Sequence, residues 1–216
     1  MRTTQVLCIA MALLVVPTMA LGDSITPGDT FYLDAGGSKT IKKTITMDAA
    51  TAGKLDVFFL VETTTSISDL LAAISGQANA IVDQLGTSGF TDIRFGVGRY
   101  SDFPDGTFGT PAIPSLGILY DDVPYEQILD LAVGTSAAAK TALPLVASNV
   151  PNGGDGPESS LYALHQVATT ASWRNDAAKV VLWFGDSPGH DGDLEAGETP
   201  PYPSLIGQQD VIDAMT

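Results

Sequence analysis

Residues 55–61, LDVFFLV, form an apolar run of strand length that is interrupted only by Asp56. Such a run predicts a β-strand covered on both faces, because a strand with one face in water alternates polar and apolar residues. Two later runs, DIRFGVGRY at 92–100 and AKVVLWFG at 178–185, are also predicted as strands. Strands of this kind are typical of a parallel sheet buried between two layers of helices.

Helical periodicity separates these strands. Apolar residues at helical spacing predict a helix that starts near Asp69, continues to Leu85 and stops at Gly86–Gly89. The other predicted elements are helices at 125–133, at 136–148 with a disturbance at Pro144, from about Pro157, and at 205–216, and a short edge strand at 115–123. The alternation predicts an α/β fold, a Rossmann-like, doubly wound and mostly parallel sheet flanked by helices.

The first 22 residues have the layout of a secretory signal peptide. Arg2 precedes an apolar run of 11 residues, VLCIAMALLVV, which is followed by Pro17 and small residues. That run is short for a membrane span, although an uncleaved anchor is the alternative. We therefore expect a secreted or cell-surface protein whose mature chain does not insert into a membrane. Residues 23–54 are expected to form a small β segment or linker, and residues 55–216 a domain that is truncated at its C-terminal end.

Composition narrows the classes of partner. Cys8 is the only cysteine and lies within the predicted signal peptide, so a mature chain would carry no disulfide and no zinc–thiolate site. The formal net charge is −15. A surface of that sign repels nucleic-acid phosphates and attracts divalent cations, so we expect no nucleic-acid partner.

Oxygen-bearing side chains collect where the predicted strands end. The segment ETTTS at 62–66 follows the first strand, SDFPDG at 101–106 the second and GDSPGHDGD at 185–193 the third, while GGDGPESS at 153–160 opens a helix. In open α/β sheets, ligands bind outside the carboxyl ends of the strands. Oxygen donors without cysteine favour Mg²⁺, Ca²⁺ or Mn²⁺ over zinc or copper.

Each of these loops has a simpler interpretation. Thr64 and Ser66 fit as caps of the helix that follows, and Asp155 and Glu158 fit as caps of the next one, whose dipole they would balance. His190 is interpreted as part of a solvated acidic turn rather than an extra metal loop. Four oxygen-rich loops at one edge favour a cation site over four separate caps.

Four segments resemble the von Willebrand factor A domain, and within that superfamily the I-like domain of integrin β subunits. DVFFLVETTTSISDLL is similar to the family's first strand, its D-x-S-x-S metal motif and the next helix, and IRFGVGRYSDFP to its second strand and loop. GGDGPESSLYAL resembles a D-x-P-E-G-G stretch, and SWRNDAAKVVLWFGDSPGH resembles a WRND run, a late strand and its aspartate. The resemblance covers roughly residues 54–195.

The resemblance implies an adhesion site, at which a divalent cation completes its shell with an acidic residue of a partner protein. It implies Mg²⁺ or Mn²⁺ at a central site formed by Glu62, Thr64, Ser66, Glu158 and Asp186. It implies flanking sites, with Ca²⁺ as an option, at Asp69, Asp102, Asp155 and the Pro157 carbonyl. No catalysis is implied, because such a cation holds a carboxylate without activating water.

The chain departs from the family pattern at several positions. Glu62 stands where the family has aspartate, and its extra methylene carries the carboxylate further toward the metal. Gly153 replaces an asparagine of a flanking site, and Leu70 replaces the acid that follows Asp69. The disulfide-closed specificity loop of animal integrins is lacking, so ligand preference is not carried over.

Two other functions are considered. The domain is a structural module if its metal site is degenerate. Alternatively, FGDSPG at 184–189 resembles the FGDS block of GDSL-type esterases, with Ser187 as the nucleophile. In that family the block lies near the start and a late D-x-x-H supplies the base, whereas here the block lies near the end and no D-x-x-H follows. The sequence therefore predicts a protein that is not an enzyme.

Overall fold

The structure is a computed structural model that describes residues 11–15, 24–25, 41–46, 53–104, 108–109, 115, 120–151, 153–154, 156–190 and 206–215. Its strands are β1 (Met11–Val15), β2 (Ser24–Ile25), β3 (Ile41–Thr46), β4 (Lys54–Glu62), β5 (Asp92–Tyr100), β6 (Glu126–Leu129) and β7 (Ala178–Phe184). Its α-helices are α1 (Leu71–Leu85), α2 (Ser136–Ala142), α3 (Ser160–Thr170) and α4 (Gln208–Met215). Across these described ranges, no helix has both the length and the apolar character that a membrane span requires.

The main sheet has four strands in the order β6-β5-β4-β7. Strands β5 and β7 both run parallel to β4, and β6 is antiparallel to β5. Pairing of Glu62 with Tyr100 and of Val61 with Phe184 aligns the carboxyl ends of the three parallel strands at one edge. The three strands predicted at 55–61, 92–100 and 178–185 are confirmed, as is the α/β class with a mostly parallel sheet flanked by helices.

Both faces of β4 are buried, which explains its continuous apolar sequence. Val57, Phe59 and Val61 belong to a core with α1 and α2, while Phe58 and Leu60 belong to a second core with α3 and α4. All five side chains are 0% exposed. Full burial of an aliphatic or phenylalanine side chain contributes about 1.5–3 kcal/mol, so this strand anchors the domain.

The prediction of a helix at 125–133 is wrong. Residues 126–129 form β6, and Leu131–Val133 is a short 3-10 turn that Asp130 caps through Ala132 N. Strand β6 pairs along β5, where Arg99 Nη2 lies 2.6 Å from a Glu126 carboxylate oxygen. Pairing with a neighbouring strand therefore outweighs the local helical pattern.

The edge strand lies downstream of its predicted position at 115–123. Within that range the described residues, Ser115 and 120–123, are in no strand, and 116–119 lie outside the described residues. The disturbance at Pro144 is confirmed, since α2 ends at Ala142 and a 3-10 helix continues over Leu143–Ala147. Helices were correctly predicted at α1, α3 and α4.

A separate three-stranded sheet is formed by β1, β2 and β3 in the order β1-β3-β2. Strand β3 lies within residues 23–54, where a small β segment or linker was expected. Strand β1 lies within the predicted signal peptide and pairs in parallel with Ile41–Ile45. Cleavage of that peptide stays a prediction.

Candidate functional site

Four oxygen-bearing side chains meet at the carboxyl edge of the main sheet. Thr64 Oγ1 lies 2.8 Å from Glu62 Oε1 and 2.8 Å from Ser66 Oγ. Ser66 Oγ lies 3.1 Å from Asp186 Oδ1, across 120 residues of sequence. We call Glu62, Thr64, Ser66 and Asp186 the oxygen cluster. The strand ends predicted that oxygen-rich loops meet at this edge, and the resemblance implied these four residues together with Glu158. The structure brings the four side chains together.

The oxygen cluster has a buried half and an open half. Glu62 is 0% exposed and Thr64 is 1% exposed, whereas Ser66 and Asp186 are exposed to solvent. Glu62 is the last residue of β4, while Thr64 and Ser66 lie on the loop after β4 and Asp186 lies on the loop after β7. The cluster is therefore open to solvent on the Ser66–Asp186 side.

Three contacts in the oxygen cluster share too few protons. A carboxylate donates none and a hydroxyl donates one, so the two hydroxyls supply two protons for the Glu62–Thr64, Thr64–Ser66 and Ser66–Asp186 contacts. With both carboxylates ionised, one contact between oxygens has no hydrogen in it. A proton on Glu62, or a cation among the oxygens, would remove that repulsion.

The pKa of Glu62 reflects the same imbalance. Burial, as the largest cause, and the neighbouring Asp186 carboxylate raise this pKa to about 7, while the hydrogen bond from Thr64 opposes the rise. Among the described residues, no lysine or arginine forms an ion pair with Glu62 or Asp186. The site therefore carries negative charge that the described part of the chain does not neutralise.

The interpretation of Thr64 and Ser66 as helix caps is wrong. The first turn after them is a 3-10 helix at Ser68–Leu70 whose N-cap is Ile67, and neither it nor α1 receives a side-chain capping bond. Their hydroxyls face each other and the two carboxylates instead. These hydroxyls are thus available for a ligand at the sheet edge.

Glu158 lies close to the oxygen cluster. Its side chain is 4% exposed, and a Cβ built on Gly153 would lie 3.2 Å from Glu158 Oε1 and 3.8 Å from Thr64 Cγ2. Gly153 has a φ of 69°, which favours glycine and lets the backbone pass between the two side chains. The Glu158 amide also donates to the Pro188 carbonyl at 2.9 Å, so the predicted ligand borders the loop after β7.

The predicted flanking residues are in different surroundings. Asp102 is 0% exposed, and its Oδ1 accepts from Phe103 N at 2.8 Å and lies 3.1 Å from His190 Nε2. Pro157 is half-buried, Asp69 is exposed and forms no hydrogen bond to the oxygen cluster among the described residues, and Asp155 lies outside the described residues.

The solvated interpretation of His190 is wrong. Its side chain is 9% exposed, and its ring packs edge-on against Phe108 with centroids 4.8 Å apart. The contact with Asp102 joins residues 88 positions apart, so no local pattern could have indicated it. Sequence reasoning also missed the amides of Asp186 and Ser187, which donate to Glu62 Oε2 at 3.0 and 3.4 Å.

A cavity of about 250 Å³ lies beside Thr63, the first residue after β4, and its described lining residues do not include those of the oxygen cluster. Thr63 and Pro151 lie on its wall, with Arg99, Tyr120 and Asp121. The Arg99 guanidinium is paired with Glu126 and donates to the Ser148 carbonyl. The charge of Arg99 on the cavity wall is therefore neutralised within the chain.

The oxygen–oxygen distances in the cluster are those of hydrogen bonds, and they are also close to the ligand spacing of a small, hard cation. Adjacent ligands of an octahedral Mg²⁺ ion, each about 2.0–2.1 Å from the metal, lie about 2.9 Å apart. The three contacts in the cluster measure 2.8, 2.8 and 3.1 Å. In the described part of the chain, no three His, Cys, Asp or Glu side chains are grouped to hold a metal, so the hydroxyls would have to contribute ligands.

Ser187 is placed next to a carboxylate. Its hydroxyl lies 3.4 Å from Asp186 Oδ1, and the imidazole of His190 contacts Asp102. A serine nucleophile requires a base as its partner, and this arrangement does not favour that chemistry.

A scan against protein-family models finds none that matches this chain, and a search of curated proteins finds no significant match.

Proposed function

We propose that this chain is a secreted or cell-surface module of the von Willebrand factor A fold that binds a protein partner through a divalent cation at the oxygen cluster. The proposal combines the resemblance of four sequence segments with the geometry of the sheet edge. The observation that carries it is the proton deficit of the cluster, because three oxygen contacts share only two hydroxyl protons. A cation supplies the missing positive charge at neutral pH.

The cation would be Mg²⁺ or Mn²⁺, held by the Thr64 and Ser66 hydroxyls and the Asp186 carboxylate, with Glu62 and Glu158 at their side. All of these donors are oxygens, which hard divalent cations prefer. When bound, such an ion supplies a position for an external carboxylate. No catalytic step is proposed. Flanking Ca²⁺ sites at Asp69, Asp102, Asp155 and Pro157 stay predictions.

The partner would offer an acidic side chain to the exposed half of the oxygen cluster. Ser66 and Asp186 are solvent-exposed, so a carboxylate can approach from that side. Net charge −15 would repel a free acid, and a bound divalent cation reverses the local sign. Binding of the partner is therefore expected to depend on the cation.

Calorimetric titration of the full chain with Mg²⁺, Mn²⁺ and Ca²⁺ tests the cation site. We expect saturable binding of Mg²⁺ and Mn²⁺, and a loss of about tenfold or more for Ser66→Ala, which removes one oxygen of the shell. Ser68→Ala is the matched control, since within the described residues its hydroxyl donates to the Thr65 carbonyl, outside the cluster. Absence of binding by the wild-type chain would favour the structural module instead.

The partner chemistry is tested with the short peptide acetyl-Gly-Asp-Gly-amide as a probe. We expect it to shift the amide resonances of Ser66 and Asp186 in the presence of Mg²⁺ and to leave them unchanged after chelation. The matched peptide with asparagine in place of aspartate should shift neither. Equal shifts with both peptides would contradict recognition of a carboxylate.

A further inference from the structure

The Glu62 carboxylate is engaged with the backbone of the loop after β7. Its Oε2 accepts from the amides of Asp186 at 3.0 Å and Ser187 at 3.4 Å, and its Oε1 contacts Thr64 Oγ1 at 2.8 Å. A carboxylate has about four lone-pair sites, so donors of this chain occupy most of them. The two amides belong to the same loop that carries the Asp186 side chain.

We propose that Glu62 is a positioning residue, which holds the amides of Asp186 and Ser187 and so fixes the Asp186 carboxylate next to Ser66, rather than a ligand of the cation. The inference rests on the proposed function for what the positioned site binds. The hydrogen bonds from the Asp186 and Ser187 amides to Glu62 do not require an ion.

Gly185 supports this role. A Cβ at position 185 would lie 2.7 Å from Glu62 Oε2 and 2.5 Å from the Tyr100 hydroxyl, closer than side chains pack. The backbone of the loop therefore rests directly on the Glu62 carboxylate and the buried Tyr100. Only a residue without a side chain allows this approach. Glycine at position 185 therefore lets the loop come close enough for its amides to bond to Glu62.

The length of the side chain at position 62 determines whether its carboxylate can accept from the Asp186 amide. Aspartate is shorter by one carbon–carbon bond, about 1.5 Å. Its carboxylate would fall short of the Asp186 amide, which now lies 3.0 Å from Oε2, and the contact would exceed hydrogen-bond distance. Glu62 thus reaches donors that the shorter acid does not reach.

Glutamine at position 62 keeps the same reach without the charge. Its carbonyl oxygen can accept from the amides of Asp186 and Ser187, while its amide group donates to Thr64. Thr64 is then free to donate to Ser66, and Ser66 to Asp186, so every contact in the chain of oxygens contains a proton. Glu62→Gln therefore removes the charge and keeps the side-chain length, whereas Glu62→Asp keeps the charge and shortens the side chain.

The first measurement uses metal-free protein. We expect the amides of Asp186 and Ser187 to be protected from hydrogen exchange in the wild type and in Glu62→Gln, and to exchange about tenfold faster or more in Glu62→Asp. Glu126→Asp is the matched control, since it shortens a glutamate that contacts Arg99 on another strand and should leave both amides unchanged. Gly185→Ala should deprotect the same amides with Glu62 intact, which covers the case in which Glu62→Asp folds poorly.

The second measurement is calorimetric titration of the same variants with Mg²⁺. Positioning predicts that Glu62→Gln binds Mg²⁺ more weakly than the wild type, because the charge that the ion would neutralise is lost, and that Glu62→Asp loses more affinity still because Asp186 is no longer held in place. The inference is overturned if Glu62→Asp protects both amides and binds Mg²⁺ at least as well as the wild type. It is equally overturned if Glu62→Gln loses more than Glu62→Asp does.

The two proposals fail in different ways. If wild-type protein binds no Mg²⁺ while the exchange pattern follows side-chain length, the cation function is lost and the positioning role of Glu62 stands. If Mg²⁺ binds while the two amides exchange freely in the wild type, the positioning role is lost and the cation function stands.

Discussion

The two ends of β4 carry buried acids in opposite circumstances. Near its amino end, Asp56 is 0% exposed and accepts from Arg174, whose guanidinium lies 2.7 Å away and also bonds to the Leu55 carbonyl. Arg174 pairs with Asp92 on β5 as well, at 2.5 Å. At the carboxyl end, Glu62 is equally buried, and its nearest charged neighbour in the oxygen cluster is another acid, Asp186.

The two ends of β4 differ in how a buried negative charge is compensated. Burying a charge is costly unless a counter-charge and hydrogen bonds accompany it. Arg174 provides both for Asp56, so the amino end is closed within the chain. The carboxyl end has no counter-charge among the described residues, and under the proposed function a cation would supply it. The same strand thus holds a neutralised buried acid at one end and an acid without a counter-charge, among the described residues, at the other.

Arg174→Ala is expected to have the largest effect. It leaves Asp56 as a buried charge without its counter-charge, which costs about 3–5 kcal/mol in the free energy of unfolding. Urea denaturation followed by circular dichroism measures the loss. Arg174→Lys should recover part of it, because one charge remains while the paired geometry is lost. A loss below about 1 kcal/mol would show that the two ends differ less than proposed.

The free energy of unfolding of the metal-free protein is expected to depend on pH through Glu62. The pKa of Glu62 in the fold is raised from 4.5 to about 7, so the folded state holds this proton more tightly than the unfolded state does. The stabilisation is full below pH 4.5 and is lost as pH rises through about 7, a contribution of about 3 kcal/mol.

Denaturation of Glu62→Gln over the same pH range isolates this contribution, since other carboxyls titrate in both proteins. We expect the difference in unfolding free energy between the wild type and Glu62→Gln to change with pH in chelator and to flatten in saturating Mg²⁺, where the ion replaces the proton. A difference that is constant with pH in chelator would contradict the electrostatic account of the carboxyl end.

Asp186→Asn is expected to change the free energy of unfolding less than the two variants above. Removing one of two neighbouring acids should leave metal-free stability unchanged or raise it by about 1 kcal/mol, because like charges repel at short distance. The same variant should bind Mg²⁺ about tenfold or more weakly, by calorimetry. A clear loss of metal-free stability would place Asp186 with Asp56, among the acids that the fold itself needs.

Lys140→Ala should have the smallest effect. Lys140 and Asp83 form an ion pair whose side chains are 40% and 66% exposed. Exposed pairs contribute about 0–1 kcal/mol, so urea denaturation should give a loss near the lower end of that range. A loss comparable to that of Arg174→Ala would mean that burial is not what distinguishes the amino end.

The elements that the sequence predicted well are those with the strongest local pattern. Strands β4, β5 and β7 follow from buried apolar runs, and α1 from apolar residues that recur at helical spacing. The segment 125–133 was mispredicted because a short amphipathic stretch fits either a helix or a strand. Pairing with β5 decided the outcome there.

The candidate site divides in the same way. Glu62, Thr64 and Ser66 are close in sequence, the rule that strand ends meet at one edge brought their loop together with the loop of Asp186, and the resemblance implied that these residues form one site. The contacts of His190 with Asp102 and of Arg174 with Asp56 span 88 and 118 residues. Chain positions alone do not encode such pairings.

By itself, the sequence determined the buried strands, the α/β class, the acidic character and the oxygen-rich loops, because hydrophobic periodicity and composition act within a few residues. Only the tertiary structure decided which acids acquire a counter-charge and which do not. Asp56 and Glu62 lie six positions apart on one strand, and the difference arises because Arg174 folds back onto one end of the sheet while Asp186 arrives at the other. Electrostatic interactions depend on distance in space, and chain folding sets that distance.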